Sequence, residues 1–174
     1  YLSDRYLGNR RSIITGGILM AIGQFLMFVS ASFHSADPAA LTMMWAGLTF
    51  LIVGNGFFKP NISTMVGQLY PAGDRRVDSA FTIFYMGINL GAFFSPLVCG
   101  ALAENIDYKW GFLAACIGMV FGVITFIAFK NKLLVHADGT PVGTQVKKLD
   151  VQSISMIVGA IALIFFLLNF KSLF

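Results

Sequence analysis

The chain of 174 residues is 57% hydrophobic and only 11% charged, with a mean hydropathy of +0.78 and a net charge of +4. Soluble domains carry roughly 25% charged residues, and a water-soluble fold of this length has no interior large enough for so much apolar surface, so the composition points to a membrane protein. The basic excess does not read as a nucleic-acid footprint, because the lysines and arginines fall in connectors flanking apolar runs, as the positive-inside rule describes.

The chain opens abruptly on the charged "YLSDRYLGNRR", which lacks the short apolar core and cleavage site of a secretory signal. This predicts a piece of a longer sequence. A spanning helix needs roughly 20 apolar residues, and runs of that kind fall at about 12–33, 41–69, 79–103, 111–130 and 152–170. Short connectors, "HSADPAA", "YPAGDRRVD" and "ENIDYKW", separate the first four. A longer polar stretch, "NKLLVHADGTPVGTQVKKLD", precedes the fifth. The fold class expected is therefore an all-α polytopic membrane protein. It comprises a loop over 1–11, four spans over 12–130, a linker over 131–151 and a further span in 152–174.

Charge sets the orientation. Arg5, Arg10, Arg11, Arg75, Arg76, Lys130, Lys132, Lys147 and Lys148 flank one side of the spans, against Lys109 and Lys171 on the other. The first set belongs in the cytoplasm. Cys99 and Cys116 both lie in apolar runs and are expected to be buried free thiols.

All eight acidic residues sit in connectors or at span edges. Among the twelve Lys and Arg, only Lys59 lies deep in a span. It precedes Tyr70 by 11 residues, so roughly 15 Å of helix separates it from the cytoplasmic interface, farther than a lysine stem can snorkel. Insertion near the bilayer centre costs ~2.5–3.5 kcal/mol. A watery cavity or an acidic partner is the expected reason to keep it; the alternative is structural pairing with another helix.

Asn55, Lys59 and Ser63 are spaced i, i+4, i+8 and share one helical face. Pro60 has no amide hydrogen and is expected to loosen the helix near the Gly56 carbonyl. In the third run, "FTIFYMGINLGAFFSPLVCG", Tyr85 and Asn89 lie one turn apart. Gly87, Gly91 and Ser95 form a small-residue stripe suited to close helix contact, and Pro96 is expected to bend the helix. Gly16, Gly17 and Gly23 read as packing positions. Trp45, Tyr108 and Trp110 read as interfacial anchors. His34 and His136 lack metal-ligand spacing, and no nucleophile, paired carboxylate or phosphate-cradling loop argues for an enzyme or a metal.

"DRYLGNRR", from Asp4 to Arg11, resembles the loop between the second and third helices of major facilitator superfamily transporters. "FTIFYMGINLGAF", Phe81 to Phe93, is similar to the fifth-helix signature of proton-dependent oligopeptide transporters, and "GNGFFKPNISTMVGQLY" to that family's fourth helix. The resemblance covers about residues 1–130. It implies a major facilitator bundle in which the first four runs are helices three to six of twelve. The fifth run is then an inserted linker helix or helix seven, the former being the better fit.

The resemblance further implies a proton-coupled symporter of di- and tripeptides, working by alternating access in a plasma membrane or bacterial inner membrane. Lys59 matches the lysine implicated in proton coupling and in holding the peptide carboxylate, and Asn89 the asparagine that hydrogen-bonds the peptide backbone. Asn55, Ser63 and Tyr85 are expected to line the cavity. Asp4, Arg5, Gly8, Arg10 and Arg11 match the gating loop, and Arg75, Arg76 and Asp78 are expected in the same cytoplasmic gate. The implied partners are peptides, protons, the bilayer and the transporter's other helices, with no nucleic acid and no cofactor. The family's first-helix E-x-x-E-R motif is absent from these residues. A carrier of nitrate or an organic anion, a non-transporting scaffold subunit and, less favoured, a channel are the competing readings.

Overall fold

The computed structural model describes residues 7–33, 37–136 and 139–144. They form four helices: α1 (Gly8–Ser30), α2 (Pro38–Gln68), α3 (Arg76–Asn105) and α4 (Tyr108–Leu133). All four are long and apolar enough to cross a membrane, so the all-α polytopic expectation holds. The expected fifth span at 152–170 lies outside the described residues, as does His34.

Each helix starts about one turn earlier than the hydropathy pattern suggests, and at α2, α3 and α4 an aspartate carboxylate receives an amide of the opening turn. The Asp37 carboxylate accepts from the Ala39 amide at 2.9 Å, with Pro38 in the first turn. Asp107 accepts from Lys109 N at 3.2 Å, and Asp74 from Arg76 N at 2.9 Å. Such oxygens satisfy amides that a helix start leaves orphaned, yet they read as loop residues by hydropathy. Gly8, Asn9, Arg10 and Arg11, assigned to the loop from sequence, are the first turn of α1. Gly8 has φ +71°, a conformation that favours glycine, which gives the glycine of "DRYLGNRR" a local reason.

The two prolines expected to loosen or bend their helices do not end them. Helix α2 runs through Pro60 and α3 through Pro96. Around Pro60 neighbouring side chains bond the backbone: Asn61 Nδ2 donates to the Phe57 carbonyl at 2.6 Å and Thr64 Oγ1 to the Pro60 carbonyl at 2.9 Å.

The molecule is organised around the α1–α2 hairpin. A Cβ added at Gly16 would sit 2.6 Å from the Gly54 carbonyl oxygen, and one at Gly23 2.8 Å from that of Gly47. The reciprocal additions at Gly54 and Gly47 would meet the Gly16 and Gly23 carbonyls at 2.8 and 3.0 Å. The two backbones therefore touch in an antiparallel crossing, the use that small residues serve in membrane helices. Both ends are pinned. Asn9 Nδ2 donates to Gln68 Oε1 at 3.2 Å at one end, and Ser30 Oγ donates to the Ala40 carbonyl at 2.7 Å at the other.

Helix α4 packs on α1 at Gly17, which faces Val123, and at buried Cys116, whose Sγ donates to the Ala21 carbonyl at 3.3 Å. Cys99, expected to be buried, is half-exposed at an opening lined by α1, α3 and α4 residues. Helix α3 meets α4 where a Cβ on Gly111 would lie 2.8 Å from the Cys99 carbonyl, and meets α2 at Gly67 and Phe81. Between those ends, every residue from 85 to 98 is exposed.

Candidate functional site

The two residues singled out most strongly from sequence lie on α2 and α3, which run antiparallel across the Tyr70–Arg75 turn. The helices meet at Gly67 and Phe81, where an added Cβ would lie 3.6 Å from the phenyl ring. Lys59 lies eight residues before Gly67, and Asn89 eight residues after Phe81. At 1.5 Å rise per residue each stands about 12 Å along its own helix from that contact. No hydrogen bond joins them.

Each occupies a face that the fold leaves uncovered. On α2, Gly54, Asn61 and Met65 are buried on the α1 side, whereas Asn55 and Lys59 are exposed and Ser63 half-buried. The i, i+4, i+8 stripe therefore points away from the α1–α2 contact. Among the described residues no carboxylate pairs with Lys59. On α3 an open groove of about 570 Å³ is lined by Thr82, Tyr85, Met86, Asn89, Leu90 and Phe93. Tyr85 is braced by Phe81 and Phe84, with ring centroids 6.3 and 5.7 Å away. The groove thus offers an amide with donor and acceptor, a phenol and a hydroxyl among apolar rings. Gly87 and Gly91, expected to receive another helix closely, have nothing within 4 Å of an added Cβ among the described residues.

The residues expected in the cytoplasmic gate divide. Asp4 and Arg5 lie outside the described residues. Arg11 is exposed, but Arg10 is buried at 7% relative exposure. Its Nε donates to the Val142 carbonyl at 2.6 Å, Nη1 to Asn131 Oδ1 at 3.1 Å, and Nη2 to the Leu134 carbonyl. Its backbone amide donates to the Gly143 carbonyl at 3.4 Å. At the α2–α3 turn, Arg76 grips Asp74 through Nη2 at 2.7 Å and Nε at 3.0 Å, with its guanidinium 5.6 Å from the Tyr70 ring centroid. That side-chain hydrogen bond, aided by the Arg76 amide and charge, holds the Asp74 carboxyl below its ordinary range. Asp78 sits in the first turn of α3, where a negative charge suits the helix dipole. Arg75 is exposed.

Hydropathy missed three buried polar groups: Asn9, Ser12 and Asn61, at 5%, 0% and 2% exposure. Asn61 follows Lys59 by two residues and faces the opposite way, toward α1. Its only sequence signal is its place on the glycine face of α2, seven residues after Gly54. Among the described residues no group of His, Cys, Asp or Glu has the arrangement to hold a metal ion.

Comparison with known proteins adds the remaining findings. The family described as "PTR2: POT family" matches residues 10–168. The chain is 37% identical over 165 residues to the uncharacterized transporter YclF of Bacillus subtilis (strain 168), covering 94% of this chain and 32% of that protein. It is 39% identical over 126 residues to the di-/tripeptide transporter of Lactococcus lactis subsp. lactis (strain IL1403), covering 72% and 24%. A crystal structure of a POT family transporter in complex with a thioalcohol-conjugated peptide superposes with a TM-score of 0.78 at 32% identity, covering 98% of this chain and 34% of that one. The chain thus spans between about a quarter and a third of the length of these relatives.

Proposed function

The chain belongs to the POT family, and from that premise we propose that it is part of the N-terminal bundle of a proton-coupled symporter importing di- and tripeptides across a plasma membrane or bacterial inner membrane. Helices α1 to α4 take the places of helices three to six. The observation that carries the reading is the placement of Lys59 and Asn89 at matching distances along adjacent antiparallel helices, each on an uncovered face.

The chemistry fits the cargo. An ammonium at membrane depth attracts the one carboxylate end that all peptides share, and an amine is a group that can carry a proton through the cycle. Asn89 supplies a donor and an acceptor to a peptide backbone that stays constant while side chains vary. Asn55, Ser63 and Tyr85 line the same space. Arg10, Arg11, Arg75, Arg76 and Asp78, with Asp4 and Arg5, serve the cytoplasmic gate. Protons are the coupling ion, no cofactor is required, and the rest of the transporter supplies the second bundle that alternating access needs.

The test is uptake of a labelled dipeptide into proteoliposomes holding the full-length protein, with and without an inward proton gradient. Accumulation is expected only with the gradient, competed by tripeptides and not by free amino acids. Lys59→Ala is expected to abolish that accumulation while leaving the folded yield intact. Folded protein that takes up no peptide under either condition would sink the reading and return attention to another small solute.

A further inference from the structure

Beyond α4 the chain does not leave the bundle. Residues 134–136 and 139–144 pair through an antiparallel bridge between Val135 and Pro141, with Val142 N donating to the Leu134 carbonyl at 3.1 Å and His136 N to the Thr140 carbonyl at 2.9 Å. Gly139 and Gly143 have φ +78° and +74°, which lets the chain turn back. This small fold delivers Val142 into the interior at 0% exposure, in a cluster with Ile13 of α1 and Met65 of α2. Phe58, Ile62 and Leu69 from α2 and its end, Phe126 of α4, and Leu134 complete the cluster.

Arg10 fastens the same element from the other side. Its guanidinium spans the end of α4 and both arms of the turn, reaching Asn131, Leu134 and Val142. Gly143 lies against α1 so closely that an added Cβ would approach Asn9 Cβ to 3.2 Å. Among the described residues, these hydrogen bonds and this cluster tie α1, α2 and α4 together and include nothing from α3.

We propose that residues 134–136 and 139–144 form a strap that locks the cytoplasmic ends of α1, α2 and α4 into one rigid unit, leaving α3 as the element of this region free to shift against it. A packed core is bistable rather than continuously deformable, so a group wedged at 0% exposure between α1 and α2 resists relative motion of their ends. The Asn9–Gln68 hydrogen bond reinforces the same end. By contrast, α3 joins the unit through Gly67 and Phe81 near its start and through Cys99 and Gly111 near its end. Motion of α3 would carry Asn89 relative to Lys59 without disturbing the strap. That consequence rests on the peptide-site reading above; the strap itself does not.

Amide hydrogen exchange on the full-length protein in nanodiscs decides the matter without any transport assay. Val142→Asp is expected to speed exchange roughly tenfold in the strap-side turns of α1, α2 and α4, with the first turns of α3 unchanged. Val142→Ala, a milder variant that keeps the chain foldable, is expected to give the same pattern at smaller amplitude, and Val142→Ile to restore protection. Exchange that rises equally in α3, or that stays confined to 134–144, overturns the proposal. A second arm bridges Met65→Cys and Val142→Cys with a cleavable thiol cross-linker in a background free of other cysteines. The locked protein should exchange like the uncross-linked one in α3 and retain uptake; uptake lost on bridging and regained on cleavage would show that the strap opens in the cycle, and would overturn it too. A protein that takes up no peptide defeats the functional reading alone, since the exchange pattern still stands or falls by itself.

Discussion

The α1–α2 crossing and the middle of α3 are built from similar residues and end in opposite states. Both carry spaced glycines in apolar helices: Gly16, Gly23, Gly47 and Gly54 in the first, Gly87 and Gly91 in the second. In the crossing, each glycine brings its helix within 2.6–3.0 Å of a partner carbonyl or amide were a Cβ present; around Gly87 and Gly91 nothing lies within 4 Å. A small-residue stripe therefore marks where a backbone approaches closely, without saying from which part of the protein it comes. The crossing is satisfied internally. The α3 stripe, beside Asn89, has no close neighbour among the described residues, in a chain that matches about a third of its solved relative.

The sharpest way to break the comparison is to enlarge one glycine in each region of the full-length protein. Gly54→Leu drives a side chain into the Gly16 carbonyl and the Met20 amide, at 2.8 and 2.9 Å from the Cβ alone. Neither backbone can yield cheaply, so the expected loss is at the upper end of the ~1–3 kcal/mol typical of overpacking, or beyond it. Size-exclusion profiles after heating should show collapse of the folded peak. Gly91→Leu is expected to leave that peak in place and, on the transport reading proposed above, to depress uptake instead, because the added bulk meets nothing among the described residues. If Gly91→Leu destabilises as much as Gly54→Leu, α3 is a structural seam and not a working face.

Next in size is Asn89→Leu, which keeps volume and removes both hydrogen-bonding functions from the α3 groove. A lost hydrogen bond is worth about 0.5–1.5 kcal/mol, and 1.4 kcal/mol is tenfold in affinity, so the KM for dipeptide is expected to rise up to about tenfold. Folded yield should not change, since Asn89 is exposed and makes no hydrogen bond to the described residues. An unchanged KM would remove Asn89 from the substrate site, and a fall in yield would make it a helix-pairing residue.

Local chemistry was legible in the sequence; pairing over distance was not. Four spans followed from hydropathy because lipid forces apolar runs of a fixed length, and the basic side followed from counting Lys and Arg. Lys59 stood out because a deep charge is rare in a span. What stayed hidden needed a partner to become visible. Arg10 looks like any connector arginine until the chain more than 120 residues later returns to accept its hydrogen bonds. The strap "VHADGTPVG" reads as a polar linker, and Val142 as a stray apolar residue in it, because hydropathy averages away a single buried side chain. The pairing of Gly16 with Gly54 and of Gly23 with Gly47 was latent in a shared seven-residue spacing, and Asn61 continued the α2 series.

The smallest expected effect tests the quiet end of α3. Asp74 is half-buried, and its carboxyl is held below the ordinary range chiefly by the Arg76 side-chain hydrogen bond, then by the Arg76 amide. A depressed folded-state pKa contributes stability that is present above the unfolded value, about 3.9, and lost as pH falls through the folded one. Asp74→Asn should therefore lower the melting temperature slightly at pH 7, and no differently at pH 5.5, where the carboxylate is charged in both states. The gap between variant and parent should close only below about pH 4. The Arg76 partner is open to solvent, and surface ion pairs contribute little, so the shift is expected to be far smaller than that of Gly54→Leu. A gap that instead changes between pH 5 and 7 would mean that the turn joining α2 to α3 senses a different titrating group, and that the start of α3 is coupled to proton movement through its own connector.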